Sequence, residues 1–169
     1  MRAKLIVEGK EFPIEIQDPE LEKLLKPKKK TGYERIDSQC TYWAVMPDGD
    51  SYAQLETNSY WDDQMYKCAN YYSDKTVAEN NARADKLMRQ LRRFAVEHRK
   101  DQLYWAREYC NEKWSIAYDC RNKRLRSEKN WDVREAFAIY FDSEETVLLA
   151  ITTFHDELIW YFTEYKDSL

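Results

Sequence analysis

The sequence predicts an α+β fold: a duplicated unit of antiparallel β-hairpin plus helix, preceded by an N-terminal β-hairpin and a short helix. The first observation behind this is an internal repeat. Tyr42-Trp43-Ala44-Val45-Met46-Pro47-Asp48-Gly49 returns as Lys113-Trp114-Ser115-Ile116-Ala117-Tyr118-Asp119-Cys120, Trp61-Asp62 returns as Trp131-Asp132, and Tyr71-Tyr72-Ser73 returns as Phe141-Asp142-Ser143. Trp43 to Trp114 is a step of 71 residues, while Trp61 to Trp131 and Ser73 to Ser143 are steps of 70, so one deletion reconciles the copies. The second observation is periodicity, since in each copy apolar residues first alternate and then recur at helical spacing. The third is punctuation: Asp48-Gly49 suits a hairpin tip, and Ser73 and Ser143 suit helix N-caps.

Leu5 and Val7, then Ile14 and Ile16, alternate around Gly9 and predict the N-terminal hairpin. Asp18-Pro19 reads as an N-cap followed by proline at the first helical position, with Leu21, Leu24 and Leu25 as the apolar stripe and Pro27 as the stop. Lys26, Lys28, Lys29 and Lys30 read as a solvated linker ending at Gly32. In the first repeat Tyr42, Ala44 and Met46 alternate with Trp43 and Val45, and Tyr52 and Leu55 lie on the returning strand. A third strand is placed around Trp61 to Tyr72. The following helix carries Val77, Ala84, Leu87, Met88, Leu91 and Phe94 or Ala95 on one face, and is expected to run on past His98 and Arg99 toward Trp105 and Tyr109. In the second repeat Trp114 and Ile116 begin the hairpin, and Val147, Ile151, Phe154, Leu158, Tyr161 and Phe162 form the matching helical stripe. The organisation is therefore 1–38 for the N-terminal hairpin, short helix and basic linker, 39–109 for the first repeat, and 110–169 for the second.

Composition narrows the class. Aromatic residues make up 15% of the 169 and charged residues 34%, a pairing that suits half-buried sheets and interfaces. No apolar run approaches a membrane span, and the N-terminal residues lack a signal-peptide apolar region, so a cytosolic protein is expected. Cys40, Cys68, Cys110 and Cys120 form no zinc or redox spacing and are expected as buried free thiols. Chemistry is also sparse. There is no glycine-rich phosphate loop, no His-Glu-x-x-His and no Gly-x-Ser-x-Gly, and only His98 and His155 could serve as imidazole bases. Asp62 and Asp132 are expected to bond local backbone, and Glu144 and Glu145 to sit in a first helical turn facing the macrodipole. A metal-dependent hydrolase using Asp62, Asp63 or Asp132 ranks last. No catalytic, cofactor or metal residues are assigned, and the cofactor expectation is none.

Charge is distributed unevenly around the net −4. Residues 83–129 hold fourteen Lys or Arg against seven Asp or Glu, whereas residues 132–169 hold two against nine. Arg89, Arg92, Arg93 and Arg99 form a stripe on the first repeat helix, and Arg121, Lys123, Arg124 and Arg126 crowd the second hairpin tip. A solvated face is the simpler reading; with Tyr104, Trp105 and Tyr109 nearby, a grip on phosphate backbone and bases is the sharper one.

The N-terminal hairpin, the Lys28-Lys29-Lys30-Thr31-Gly32-Tyr33-Glu34-Arg35 junction, the Tyr42-Trp43 strand with Asp48-Gly49, and Ala69-Asn70-Tyr71-Tyr72 ahead of a capped helix resemble small accessory proteins of Firmicutes phages and prophages over most of the chain. Some small phage proteins of this general type are anti-CRISPR or other anti-defence inhibitors that occupy a nuclease or its guide complex without chemistry of their own. The resemblance implies the class, not the contacts. The leading expectation is a non-enzymatic phage-type protein, acting in the cytoplasm of an infected bacterium, that inhibits a defence nuclease or its guide-RNA complex, foremost a CRISPR effector, by direct protein contact. The alternative is a nucleic-acid binder using the basic 83–129 segment. The partner-binding candidates are Trp61, Asp62, Asp63, Arg89, Arg92, Arg93, Arg121, Arg124, Trp131 and Asp132, because Trp and Arg dominate interface hot spots. The positions shared by both copies, Trp61 and Trp131 among them, also read as framework. A homodimer through an unpaired sheet edge is compatible with the pattern.

Overall fold

The computed structural model describes residues 2–7, 10–15, 30–100, 112–131 and 134–168. The chain forms two compact units, Met1–Thr31 and Gly32–Leu169. In the first, strand β1 (Arg2–Val7) pairs antiparallel with β2 (Lys10–Glu15), Arg2 opposite Glu15 and Val7 opposite Lys10. Pro13 is tolerated opposite Lys4 because each strand of a two-stranded ribbon is an edge. The expected turn at Gly9, the helix from Asp18 to Pro27 and most of the lysine linker lie outside the described residues.

The second unit is α+β and carries the repeat. Strand β3 (Thr41–Val45) pairs with β4 (Ser51–Leu55), and β5 (Lys113–Asp119) pairs with β6 (Arg124–Asn130), both antiparallel. The first turn closes through Met46 N–H to the Asp50 carbonyl at 2.9 Å and Gly49 N–H to the Met46 carbonyl at 2.8 Å. Gly49 has φ +88°, a left-handed conformation that costs glycine little. Each hairpin is joined by one short antiparallel bridge, Trp43 with Tyr72 and Trp114 with Phe141. Two residues after each bridge comes an N-cap, Asp74 or Ser143, whose side chain accepts the N–H of Val77 or Thr146.

That geometry corrects the register of the repeat. Tyr72 rather than Tyr71 is the counterpart of Phe141, and Asp74 rather than Ser73 caps the first long helix. Ser73 instead donates its hydroxyl to Glu34 Oε2 at 2.9 Å. The expected third strand is also replaced. Tyr60–Lys67 is helix α1, because Ser59 and Asp62 form a reciprocal capping box that commits the segment to a helix. Only Tyr72 of the segment retains the strand pairing.

Helix α2 (Lys75–Glu97) is the shared spine. It ends at Glu97, short of the expected continuation, where His98 Nδ1 lies 2.9 Å from the Phe94 carbonyl and the imidazole stacks on the Phe94 ring. Residues 101–111 fall outside the description. Near its N-terminal end Val77 and Ala78 pack with Tyr72, Trp43 and Val45, while Tyr42, Ala44 and Tyr71 form a neighbouring cluster. Toward its C-terminal end Leu87, Leu91, Phe94 and Ala95 enclose a core with Phe141, Val147, Ala150 and Leu158. The second repeat's helix breaks at Phe154 into α3 (Glu144–Thr153) and α4 (His155–Thr163), so its stripe bends and Phe162 is left exposed. Glu144 and Glu145 occupy the first turn of α3, as expected.

The cysteine expectation is overturned for three positions. Cys40, Cys68 and Cys120 are free but exposed. Cys40 immediately precedes β3, Cys68 is the C-cap of α1 and Cys120 lies in the second hairpin turn, all places where the chain meets solvent. Cys110 lies outside the described residues.

Candidate functional site

Trp61 and Arg89 stand 28 positions apart and line one groove. Trp61 is the second residue of α1, and its ring is half exposed because the first turn of that helix buries the next side chain instead. Asp62 points inward and is 3% exposed. Its Oδ1 accepts the Tyr42 hydroxyl at 2.9 Å, and its Oδ2 accepts the N–H and hydroxyl of both Thr57 and Ser59 within 3.0 Å. Burial alone would raise the Asp62 carboxyl, but the donors from Thr57, Ser59 and Tyr42 outweigh it and hold it well below the usual carboxylate range.

A second layer lies beside this one. Glu56, fully buried, accepts the Tyr71 hydroxyl at 2.8 Å, the Asn58 N–H at 2.7 Å and two guanidinium contacts from Arg35 at 3.3 Å. Arg35 also pairs with Asp63. Burial pushes the Tyr71 phenol up to about 12, with the Ile36 N–H it accepts pulling down and its bond to Glu56 adding to the rise. Tyr42 stacks on Tyr71 with centroids 4.0 Å apart. Asn70 closes the assembly, accepting the Val45 N–H at 2.7 Å and donating to the Val45 carbonyl at 2.8 Å, which fastens the end of α1 to β3. Trp61 is therefore displayed from a helix whose two ends are both hydrogen-bonded to the sheet.

The groove below Trp61 encloses about 440 Å3 and is lined chiefly by Met46, Pro47, Met65 and Tyr72, with Asp85 and Arg89 on the α2 side. Arg89 lies against the first hairpin turn, and a Cβ at Gly49 would come within 2.8 Å of its Nη2. Among the described residues Arg89 makes no salt bridge, whereas Arg93 pairs with Glu97 and Lys86 with Asp50. A half-exposed indole, thioethers and an unneutralised guanidinium can bind an apolar side chain beside an anionic group.

The remaining candidates do not converge there. Asp62 is corrected to an interior capping residue, its acceptor sites spent within the fold, and Asp63 is engaged by Arg35. Arg92 lines a separate groove with Met88 and Ile139. Arg121 and Arg124 sit at the second hairpin tip, where Asp119 accepts the Arg121 N–H at 3.1 Å and lies 4.0 Å from Arg124 Nε. Trp131 is 53% exposed, with Lys129 Nζ 4.6 Å from its ring centroid. Trp61 and Trp131 are thus surface residues and not framework: the first rides on α1 and the second follows β6. Asp132 lies outside the described residues. The sequence reading missed Met46, Met65 and Asn70. The only signal for Asn70 was its place beside the aromatic pair that precedes the helix; Met46 was marked only by strand alternation, and Met65 by nothing beyond composition.

A third groove, of about 520 Å3 between the first hairpin turn and α4, is lined by Arg83, Glu157, Lys86 and Asp50, whose charges are already paired. Among the described residues no helix is long and apolar enough to cross a membrane. The chain matches no protein-family model, no curated protein and no solved structure.

Proposed function

We propose that this chain is a non-enzymatic binding protein that acts by direct protein contact through the groove of Trp61 and Arg89. The carrying observation is that an exposed tryptophan and an arginine without a salt bridge, from different elements, face one apolar groove backed by a fully hydrogen-bonded wall. Aromatic and arginine side chains in such a setting form the anchors of interfaces, and a wall already held rigid lowers the ordering cost of binding. With the phage-type resemblance of the sequence, the partner is a bacterial defence nuclease or its guide-RNA complex, foremost a CRISPR effector, and the site of action is the cytoplasm of an infected bacterium. The experiment is capture of purified CRISPR effectors by the tagged protein, followed by target-cleavage assays with wild type, Trp61→Ala and Arg89→Glu. Wild type should bind and suppress cleavage, and either variant should weaken capture at least tenfold with an unchanged melting temperature. Absence of association with any defence nuclease overturns the reading.

One observation favours direct nucleic-acid binding as a second reading. Arg121 and Lys123 project from the second hairpin tip without a salt bridge among the described residues. This reading predicts binding to single-stranded DNA or RNA that falls steeply with salt and is lost in Arg121→Glu/Lys123→Glu. Indifference to both nucleic acids at low salt removes it.

A further inference from the structure

On another flank of α2 the groove that contains Arg92 encloses about 450 Å3 between Met88, Leu91, Ile139, Phe141 and Tyr161. An apolar cavity of about 150 Å3 is enough to accept a benzene ring, so this one has room for an aromatic side chain. Phe137 stands on its rim. That ring is 92% exposed, the most exposed of the large apolar side chains among the described residues. Its backbone has φ +69°, a region that bulky side chains rarely enter because Cβ crowds the neighbouring carbonyl. The loop is held there by the Glu135 N–H, which donates to the Tyr140 hydroxyl at 2.7 Å, and Tyr140 is itself buried. An apolar knob and an apolar hole therefore share one face of the molecule.

The charges around the hole indicate what fills it. Asp85, Arg92 and Glu135 all line the groove, and none makes a salt bridge among the described residues. A polyanion would be repelled by Asp85 and Glu135, while a uniformly basic partner would leave Arg92 without a counter-charge. A rim of mixed, unpaired signs suits a copy of itself, because a two-fold axis brings residue i of one copy to residue j of the other and j to i. We propose that the chain forms a two-fold homodimer in which Phe137 of each copy enters the groove of the other, with Arg92 facing Glu135 across the interface. The partner copy supplies a further ring to pack against Phe141 and Tyr161, and the strained loop holds Phe137 extended for insertion. This assembly uses a different groove from the one assigned to the foreign partner, the two sharing Asp85 on their α2 side, and does not depend on that assignment.

Sedimentation velocity and light scattering of the full chain, from micromolar concentration upward, test it. Wild type should move toward twice the 20.5 kDa of one chain as concentration rises. Phe137→Gly removes the knob and relaxes the backbone, so it should stay monomeric with a melting temperature unchanged or raised at low concentration. A merely structural role for Phe137 would lower it. Arg92→Glu and Glu135→Arg should each weaken the dimer about tenfold, as facing charges of like sign do, and the double exchange should restore it. Wild type that stays monomeric overturns the proposal, as does a dimer indifferent to Phe137→Gly or a double exchange without rescue. If wild type stays monomeric while Phe137→Gly loses capture of a CRISPR effector, the occupant is foreign and the homodimer is refuted.

Discussion

Arg83 is forked onto Glu157, with Nε 2.7 Å from Oε2 and Nη2 3.1 Å from Oε1, and the same guanidinium lies 4.0 Å from the centroid of the Trp160 ring. The contact ties α2 to α4 across the two repeats. It is flanked by the Tyr165 hydroxyl on Asn81 Oδ1 at 2.9 Å and by Asn81's neighbour Asn80, whose amide donates to the Lys166 carbonyl at 3.1 Å. The duplication supplies two hairpin and helix units, and this seam fastens the end of the second to the helix of the first.

The seam predicts a graded loss of stability. Both charged groups are nearly half exposed, so solvent screening limits the ion pair to about 0.5–1 kcal/mol, and the stacked guanidinium adds about 0.5–1 kcal/mol. Arg83→Ala should cost about 1–2 kcal/mol in urea denaturation, Glu157→Gln about half of that, and the double variant little more than Arg83→Ala alone. Arg83→Lys keeps the charge but cannot fork or stack, so it should recover less than half of the loss. Full recovery by lysine would show that charge alone holds the seam.

Asp62 and Asp63 are adjacent in sequence and opposite in consequence. Replacing Asp62 by Ala removes a buried cap and strands the donors of Tyr42, Thr57 and Ser59, so a cost of about 2–4 kcal/mol is expected, against less than about 1 kcal/mol for Asp63→Ala. Acid titration gives an independent signature. The Asp62 and Glu56 carboxyls are both held below their unfolded values, in each case against burial, Asp62 by donors from Thr57, Ser59 and Tyr42 and Glu56 by Arg35, Tyr71 and the Asn58 N–H. A depressed folded pKa contributes stability that is complete above the unfolded pKa, about 3.9 for Asp and 4.3 for Glu, and is lost as pH falls below it. Wild type should therefore lose stability steeply below about pH 4, and Asp62→Asn should start lower but fall less steeply. Parallel acid curves for the two proteins would contradict this assignment.

The legible parts of the fold were those fixed by local chemistry. Asp48-Gly49 has its positive φ, Ser143 caps α3, and Tyr42 and Ala44 alternate with Trp43 and Val45 between a buried and a half-buried face. What escaped depends on contacts between distant segments. Aromatic residues from Tyr60 to Tyr72 carry strand propensity, yet the Ser59 and Asp62 capping box overrides it and leaves one bridge at Tyr72. The site was legible only as residue types. Trp61 and Arg89 were both singled out, but their shared groove arises because Asn70 fastens α1 to β3 and Gly49 leaves space for the guanidinium, relations without sequence periodicity. Asp62 bonds local backbone as its position predicts, through the Thr57 and Ser59 N–H groups, but its burial under five donors, which removes it from a contact surface, depends on the distant Tyr42 as well.

The corrected repeat register has its own test in the helix caps. If Asp74 caps α2 as Ser143 caps α3, Asp74→Ala and Ser143→Ala should each cost about 1 kcal/mol, since each leaves a first-turn N–H without its side-chain acceptor. Asp74→Ser should cost only a few tenths, because a hydroxyl at the N-cap performs the same bond. Ser73→Ala removes a hydroxyl donated to Glu34, and the bond that Glu34 accepts from the Gly32 N–H at 3.1 Å remains in place. Its cost should stay near 0.5 kcal/mol, the low end for one intramolecular hydrogen bond. The alignment that equates Ser73 with Ser143 demands the reverse order, with Ser73→Ala damaging and Asp74→Ala nearly silent. Urea denaturation of the four variants separates the two registers, and helicity measured before the transition shows whether the lost stability belongs to α2. An equal loss in Ser73→Ala and Asp74→Ala would mean that the Glu34 contact matters as much as the cap, and the one-residue shift between the copies would lose its energetic support.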